Sequence, residues 1–341
     1  MALFPQVGQK APGARIGRGG VHLLLWSGVV LHLIPFYFLL VTSVKPAEEA
    51  QAEPPTLWPR DWDFSAWRIV WDLATSLDGV PAELRFIQEP FWVYFKNSIF
   101  IAVVTLALSL PVTSLAAYAN SKMQRGRGAR ASFLFFISTL MIPFIVVMVP
   151  TFLLTKNFPF ALPQAPEMPN GEPVPTLTLW DTPWAVILPA VFVPFSFLLF
   201  KGFFDTIPDS VIQAARVDGG SEFNIFRRIV LPMSVPVYAV AAYTSFASVW
   251  DNFIWQLLVL QTPDKATTSV TIYSLVNALQ QQGAGAQAGA AQSARLSQLA
   301  AAGVSWNGLM VLSLLQTLPI FVTFVVCRRY LLRGIRIRGL K

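Results

Sequence analysis

The sequence predicts an all-α integral membrane protein with six transmembrane helices. Three observations carry that expectation. Hydrophobic residues make up 54% of the chain and charged residues 13%, against roughly 25% charged in ordinary soluble domains. The apolar residues fall into long runs, each near the ~20 residues that a helix needs to cross the hydrocarbon of a bilayer. The basic residues collect on one side of those runs, as they do where charge sets membrane orientation. A typical soluble globular enzyme is excluded.

Residues 1–20 hold Lys10, Arg15 and Arg18 among glycines and read as a basic tail. The first span is 21–44, with Pro35 inside it, a residue tolerated in membrane helices when neighbours re-satisfy the freed carbonyl. Ala50-Gln51-Ala52 imitates a signal-peptidase site. A signal core is about 7–15 residues long and this run is longer, so it reads as an uncleaved anchor. The outer loop 45–93 carries Trp58, Trp62, Trp67 and Trp71. They suit either the headgroup level of the bilayer or an outer face that receives a partner protein.

Span two is 94–120, and span three is 131–155 with Pro143 and Pro150 inside it. Outer loop 156–183 is too rich in proline for a helix. Span four is 184–204, the inner loop 205–236, span five 237–260 and span six 304–327. Outer loop 261–303 contains a Gln/Ala/Gly tract, which reads as a tolerated insertion or as a binding element. Span two also presents Ser98, Ala102, Thr105, Ser109 and Ala116 at mostly three- and four-residue spacing. Such a stripe is a helix-packing seam or a pathway lining.

The net charge of +7 could suggest nucleic acid, so the placement of the charges decides. With the N-terminus in the cytoplasm, 17 of the 25 basic residues fall on the inner side, and most acidic residues fall outside. The excess is topological and needs no nucleic acid. Both termini then face the cytoplasm. His22 and His32 sit in or beside the first apolar run and read as packing or interfacial residues. A single cysteine, Cys327, excludes an intramolecular disulfide and a thiolate metal cluster.

The inner loop includes "QAARVDGGSEFNIFRRIVLPMSVP", charged and only partly apolar between two spans. Pro208 and Asp209 suit a helix start, and Gly219 is the residue best placed in a left-handed C-terminal cap. Ser221 can cap a second short helix, limited by Pro232. Gln213, Ala214 and Ala215 leave a narrow, close-packing surface that a second protein could seat. An interfacial helix lying on lipid would explain Phe223, Phe226 and Ile229 beside Arg227 and Arg228. It would not explain the Asp218-Gly219-Gly220 turn followed by Ile229-Val230-Leu231-Pro232.

This stretch resembles the EAA loop of ATP-binding-cassette importer permeases, roughly E-A-A-x-x-x-G, about nine residues, then I-x-L-P. Gly219 lies four after Ala215, and Ile229 ten after Gly219. Gln213 stands where the family has glutamate, and Gly220 where carbohydrate permeases have alanine. "TSVKP" after span one, "NSIFIAVVTLALSLPVTSLAAYA" in span two and "SFASVWDNFIWQLLVL" in span five resemble the maltose-importer G-type permease subunit.

The resemblance implies a type I importer permease fold whose inner loop is a coupling helix. Gln213, Ala214, Ala215, Asp218, Gly219, Gly220, Ile229, Leu231 and Pro232 would dock on a separate ATPase. It further implies a second homologous permease, two ATPase subunits that bind ATP and Mg, an extracytoplasmic solute-binding protein, and a bacterial or archaeal plasma membrane. The chain itself holds no G-x-x-x-x-G-K-[ST] phosphate loop, so no cofactor is expected in it. ATP closure of the ATPase pair would move the docked helices and switch the cavity between inward- and outward-facing.

Asp251 is the one ionisable residue in the interior of spans two to six, and burial in a membrane makes such a group a functional candidate. With Trp250, Asn252 and Trp255 it offers what sugar recognition uses, hydroxyl partners and aromatic faces. The alternative is a hydrogen bond from Asp251 to another helix or subunit. A non-sugar cargo such as glycerol phosphate or a polyamine would use the same machine. A phosphate-bearing cargo would demand Lys or Arg deep in the spans. A stand-alone secondary transporter often shows inverted repeats, and none is evident. A membrane enzyme would need clustered histidines or interfacial carboxylates, which are also missing.

Overall fold

The computed structural model describes residues 12–52, 54–75, 88–164, 166–168, 172–284 and 305–333. These divide into two units. The first comprises Met1–Asp72 with Gly283–Leu314, and the second Leu73–Gln282 with Leu315–Lys341.

In the first unit, α1 (Pro12–Thr42) is strongly apolar from Gly19 onward and keeps Pro35 within it. Leu23, Leu24, Trp26, Leu31 and Phe36 all stand exposed, so this helix needs lipid or another protein around it. It starts at Pro12, inside the segment read as a tail; residues 1–11 of that segment lie outside the described residues. After α1 the chain is tied down by polar groups. Lys45 is buried and donates from Nζ to the Thr56 carbonyl at 2.6 Å, and its own carbonyl accepts from Asn307 Nδ2 at 2.9 Å. The Glu49 carboxylate takes the Thr56 hydroxyl at 2.6 Å and the Arg60 amide at 3.1 Å. The short helix α2 (Ser65–Thr75) buries Ala66 and Val70. Trp58, Trp62 and Trp71 are exposed.

The second unit is built around α3 (Phe91–Tyr118), which ends in a π turn, Ala119–Met123. Ser98, Ala102, Thr105 and Ser109 are buried along it, and Ala116 packs on the core. Small side chains let neighbouring helices approach closely. Span three is two helices, α4 (Gly126–Ser138) and α5 (Phe144–Lys156), bent by 100°. Pro143 explains the break: Ile142 before it is extended at ψ 112°, as the proline ring requires. Next come a short helix α6 (Pro183–Ile187) and α7 (Pro194–Phe204), the latter against α3.

The stretch read as the inner loop forms α8 (Asp209–Val217), α9 (Glu222–Ile225), a π turn at Phe226–Val230 and α10 (Leu231–Met233). Span five is α11 (Val235–Asp251) followed by α12 (Phe253–Val259), broken at Asn252. α13 (Thr268–Ala284) lies in the stretch read as the outer loop 261–303, of which 285–304 fall outside the described residues. It is helical because Val270, Leu275 and Leu279 supply a buried stripe, although it is too polar to read as a span. Finally α14 (Trp306–Arg333) begins in the first unit and finishes in the second. Among the described residues, four helices are long and apolar enough to cross a membrane, or up to six if each bent pair forms one span.

The loop before α6 is anchored by Asp181, whose backbone is left-handed at φ 57°. Its carboxylate accepts from the Gln261 amide at 2.8 Å, the Thr262 amide at 3.0 Å, the Thr262 hydroxyl and Lys265 Nζ at 3.0 Å. Burial pushes this carboxyl up, but the Thr262 hydroxyl and amide, Lys265 and Gln261 outweigh it and hold it well below the usual carboxylate range. A depressed folded pKa gives stability that is present above the unfolded value and lost as pH falls toward the folded one. Wild-type protein should therefore lose thermal stability from about pH 5 downward, and Asp181→Asn should flatten that limb. Melting curves across pH in detergent check it.

Candidate coupling element and intramembrane polar residues

The helix α8 ends in a Schellman motif. The Gly219 amide donates to the Arg216 carbonyl at 3.1 Å and the Gly220 amide to the Ala215 carbonyl at 2.9 Å, closing two of the carbonyls a helix end leaves open. Gly219 sits at φ +81°, a region that glycine enters without a steric penalty. At Gly220 an added Cβ would stand 2.8 Å from the Ala215 carbonyl oxygen, so the position that carries alanine in carbohydrate permeases is closed to alanine unless this turn shifts. Ser221 then caps α9, its hydroxyl accepting from the Asn224 amide at 3.4 Å.

Pro232 does not end the second helix, as the sequence reading expected. The chain stays helical through α10 and turns by 82° into α11. Ser234 marks that corner: its hydroxyl and its amide both donate to the Val230 carbonyl, at 2.6 and 3.0 Å. The π turn over Phe226–Val230 accommodates the missing proline N–H by widening the ladder just before it.

One side of this element faces the protein. Ile212, Ile225, Phe226 and Val230 are buried with Phe197, Phe200 and Phe204 of α7 and with Ala117 and Tyr118 of α3. The other side is open. Gln213, Ala214, Asp218 and Gly219 are exposed there, with Val217 at 87% and Phe223 at 62%. Leu231 and Pro232 are also exposed; Ala215, Gly220 and Ile229 are intermediate.

Polar contacts fasten the element to the end of α3. Arg216 Nε donates to Glu222 Oε1 at 2.6 Å, and its Nη2 reaches the Lys122 carbonyl at 3.0 Å. The Tyr118 hydroxyl donates to Glu222 Oε2 at 2.7 Å. Arg216 foremost, with Tyr118, holds the Glu222 carboxyl below its ordinary range against the opposing effect of burial. Buried Lys122 donates to the Ile207 carbonyl and to Asp209, both at 2.7 Å. Sequence reasoning gave none of Tyr118, Lys122 or Glu222 a role. Tyr118 and Lys122 are one helical turn apart, and that spacing was the available signal.

The candidate pathway residues separate. Trp250 is 2% exposed, its indole N–H donates to the Gln316 carbonyl at 3.0 Å, and its ring stacks on Phe246. Trp255 is equally buried, its N–H spent on the Ala185 carbonyl at 3.1 Å. Neither ring faces open space. Asn252 caps α12 by accepting from the Trp255 amide at 3.4 Å. The break there means that Trp250 and Trp255 belong to two separate helices, α11 and α12. Asp251 is exposed at the end of α11, with no hydrogen bond or ion pair among the described residues.

Among the described residues, the all-helical architecture with several membrane-length helices defines the class, a multi-pass membrane protein. The family described as binding-protein-dependent transport system inner membrane component matches residues 109–336, and the chain belongs to it. It is 29% identical over 251 residues to the arabinooligosaccharides transport system permease protein AraQ of Halalkalibacterium halodurans, covering 74% of this chain and 75% of that one. It is 26% identical over 314 residues to the sn-glycerol-3-phosphate transport system permease protein UgpE of Escherichia coli O1:K1 / APEC, covering 92% and 94%. In fold it resembles a chain of a bacterial ABC transporter involved in the import of the acidic polysaccharide alginate, with a TM-score of 0.67 at 20% identity, covering 94% and 98%.

Proposed function

We propose that the chain is the permease subunit of an ATP-driven, binding-protein-dependent importer of sugars or oligosaccharides. A second homologous permease, two ATPase subunits and an extracytoplasmic binding protein complete the machine, and both termini face the cytoplasm. The observation that carries the reading is the α8–α10 element: buried on one side against α3 and α7, with Val217 and Phe223 bare on the other. Exposed apolar side chains beside a rigid turn mark a protein-docking surface. In this reading Gln213, Ala214, Ala215, Asp218 and Gly219 meet the ATPase directly. Gly220 closes the turn, and Ile229, Leu231 and Pro232 relay the motion to α11. Asp251 is the pathway residue, with Asn252 shaping the helix break beside it and Trp250 and Trp255 acting as packing.

The relative UgpE favours a second cargo, glycerol phosphate. α11 and α12 contain neither lysine nor arginine, which disfavours a phosphate-bearing solute there. Phe223→Cys, paired with cysteines on the co-purified ATPase, should cross-link to it, and membranes should take up arabino-oligosaccharide in preference to sn-glycerol 3-phosphate. No cross-link would remove the docking surface, and the reverse cargo order would remove the sugar.

A further inference from the structure

We propose that the groove between α4 and α7 binds the headgroup of an anionic glycerophospholipid. The groove is a cavity of about 450 Å³. Gly126, Arg130 and Phe133 line it from α4, and Leu198, Lys201 and Gly202 from α7. Their spacing of three and four residues puts each set on one helix face. The glycines make the hollow, for a Cβ on Gly202 would meet nothing within 4 Å.

The charge suits an anion. Residues 121–130 hold four basic residues and no acidic one. The Arg130 guanidinium has no partner among the described residues, and Lys201 lies over the Phe133 ring at 5.2 Å. Asp205 is the one carboxylate lining the cavity, and Lys201 at 2.9 Å and Ser121 at 2.6 Å already engage it. The first turn of α4 has neither a side-chain cap nor an acidic residue, so its orphan N–H groups favour a phosphate. Asn120 borders the cavity at 3% exposure, and its Oδ1 is buried without a hydrogen-bond partner. A glycerol hydroxyl of the headgroup supplies the missing donor.

Apolar residues continue the two helices beyond the cavity, where acyl chains would lie: Leu134, one turn after Arg130 on α4, and Phe195, one turn before Leu198 on α7, are exposed. Basic pockets between membrane helices on the cytoplasmic side recognise acidic headgroups in this manner. The assignment rests on the inner-side orientation proposed above and not on the cargo.

The test is native mass spectrometry of the detergent-purified complex titrated with phosphatidylglycerol, phosphatidylcholine or inorganic phosphate. Wild type should retain one phosphatidylglycerol per chain in preference to phosphatidylcholine. Arg130→Gln should weaken retention about fivefold, the effect of one surface cation on an acidic headgroup. Gly202→Leu should fill the hollow and abolish retention while the ATPase still co-purifies. Equal retention in both variants would overturn the site. Displacement of the lipid by inorganic phosphate would overturn the lipid as occupant, as would a Gly202→Cys thiol that reacts in the free chain but is shielded by a partner subunit in the complex. Loss of the ATPase from wild type would instead strike the coupling reading alone.

Discussion

A transporter carrying Gly219→Val is expected to assemble in the membrane and to import roughly ten- to hundredfold more slowly than wild type. A β-branched residue held at φ +81° costs about 1–3 kcal/mol of backbone strain, and about 1.4 kcal/mol is a factor of ten in population. The strain acts on the two hydrogen bonds that close α8, so Val217 and Asp218 leave the position from which they would meet the ATPase. Gly219→Asn is the control, because asparagine tolerates the left-handed region, and it should retain most of the uptake. Membrane fractionation, co-purification of the ATPase and solute uptake separate the outcomes. Normal import by the valine variant would mean that the turn transmits nothing.

The second large effect is expected at Lys122. Lys122→Met removes both donations that hold the start of α8, to the Ile207 carbonyl and to Asp209. Asp209 is two-thirds exposed, so solvent recovers much of its charge, and the ion pair itself contributes little. The Ile207 carbonyl loses a charged donor instead, a loss of about 2 kcal/mol. Thermal stability should fall by several degrees. Solute imported per ATP hydrolysed should also fall, because α8 then moves without α3. A variant that loses stability but keeps its import-to-hydrolysis ratio would make Lys122 a packing residue only. Tyr118→Phe, which deletes one hydrogen bond to Glu222 and keeps the ring, should lower the ratio less.

The helix–turn–helix outline of α8 and α9 was legible in the sequence because local chemistry dictates it. A proline and an acid start α8, a glycine in the left-handed region ends it, and a serine caps α9; each signal acts within four residues. The fastening of the element was not legible. Tyr118 and Glu222 are 104 residues apart, and no local rule pairs them. The six-span reading captured where apolar runs lie but not their breaks. At Pro143 the signal was present, whereas Asn252 interrupts span five through its own capping of α12. The packing of the tryptophans was not legible for a physical reason: an aromatic beside a carboxylate in an apolar run suits a sugar face, yet the same ring fills a core equally well. Gln316 and Ala185, whose carbonyls take the two indole N–H groups, lie in other helices.

One apolar cluster runs unbroken from Phe197 and Phe204 of α7 into Phe226 and Val230 of the element that follows. The α8–α10 element and the helices α3 and α7 thus share one buried core. An element that shares its core in this way should melt together with α3 and α7 and not as a separate unit.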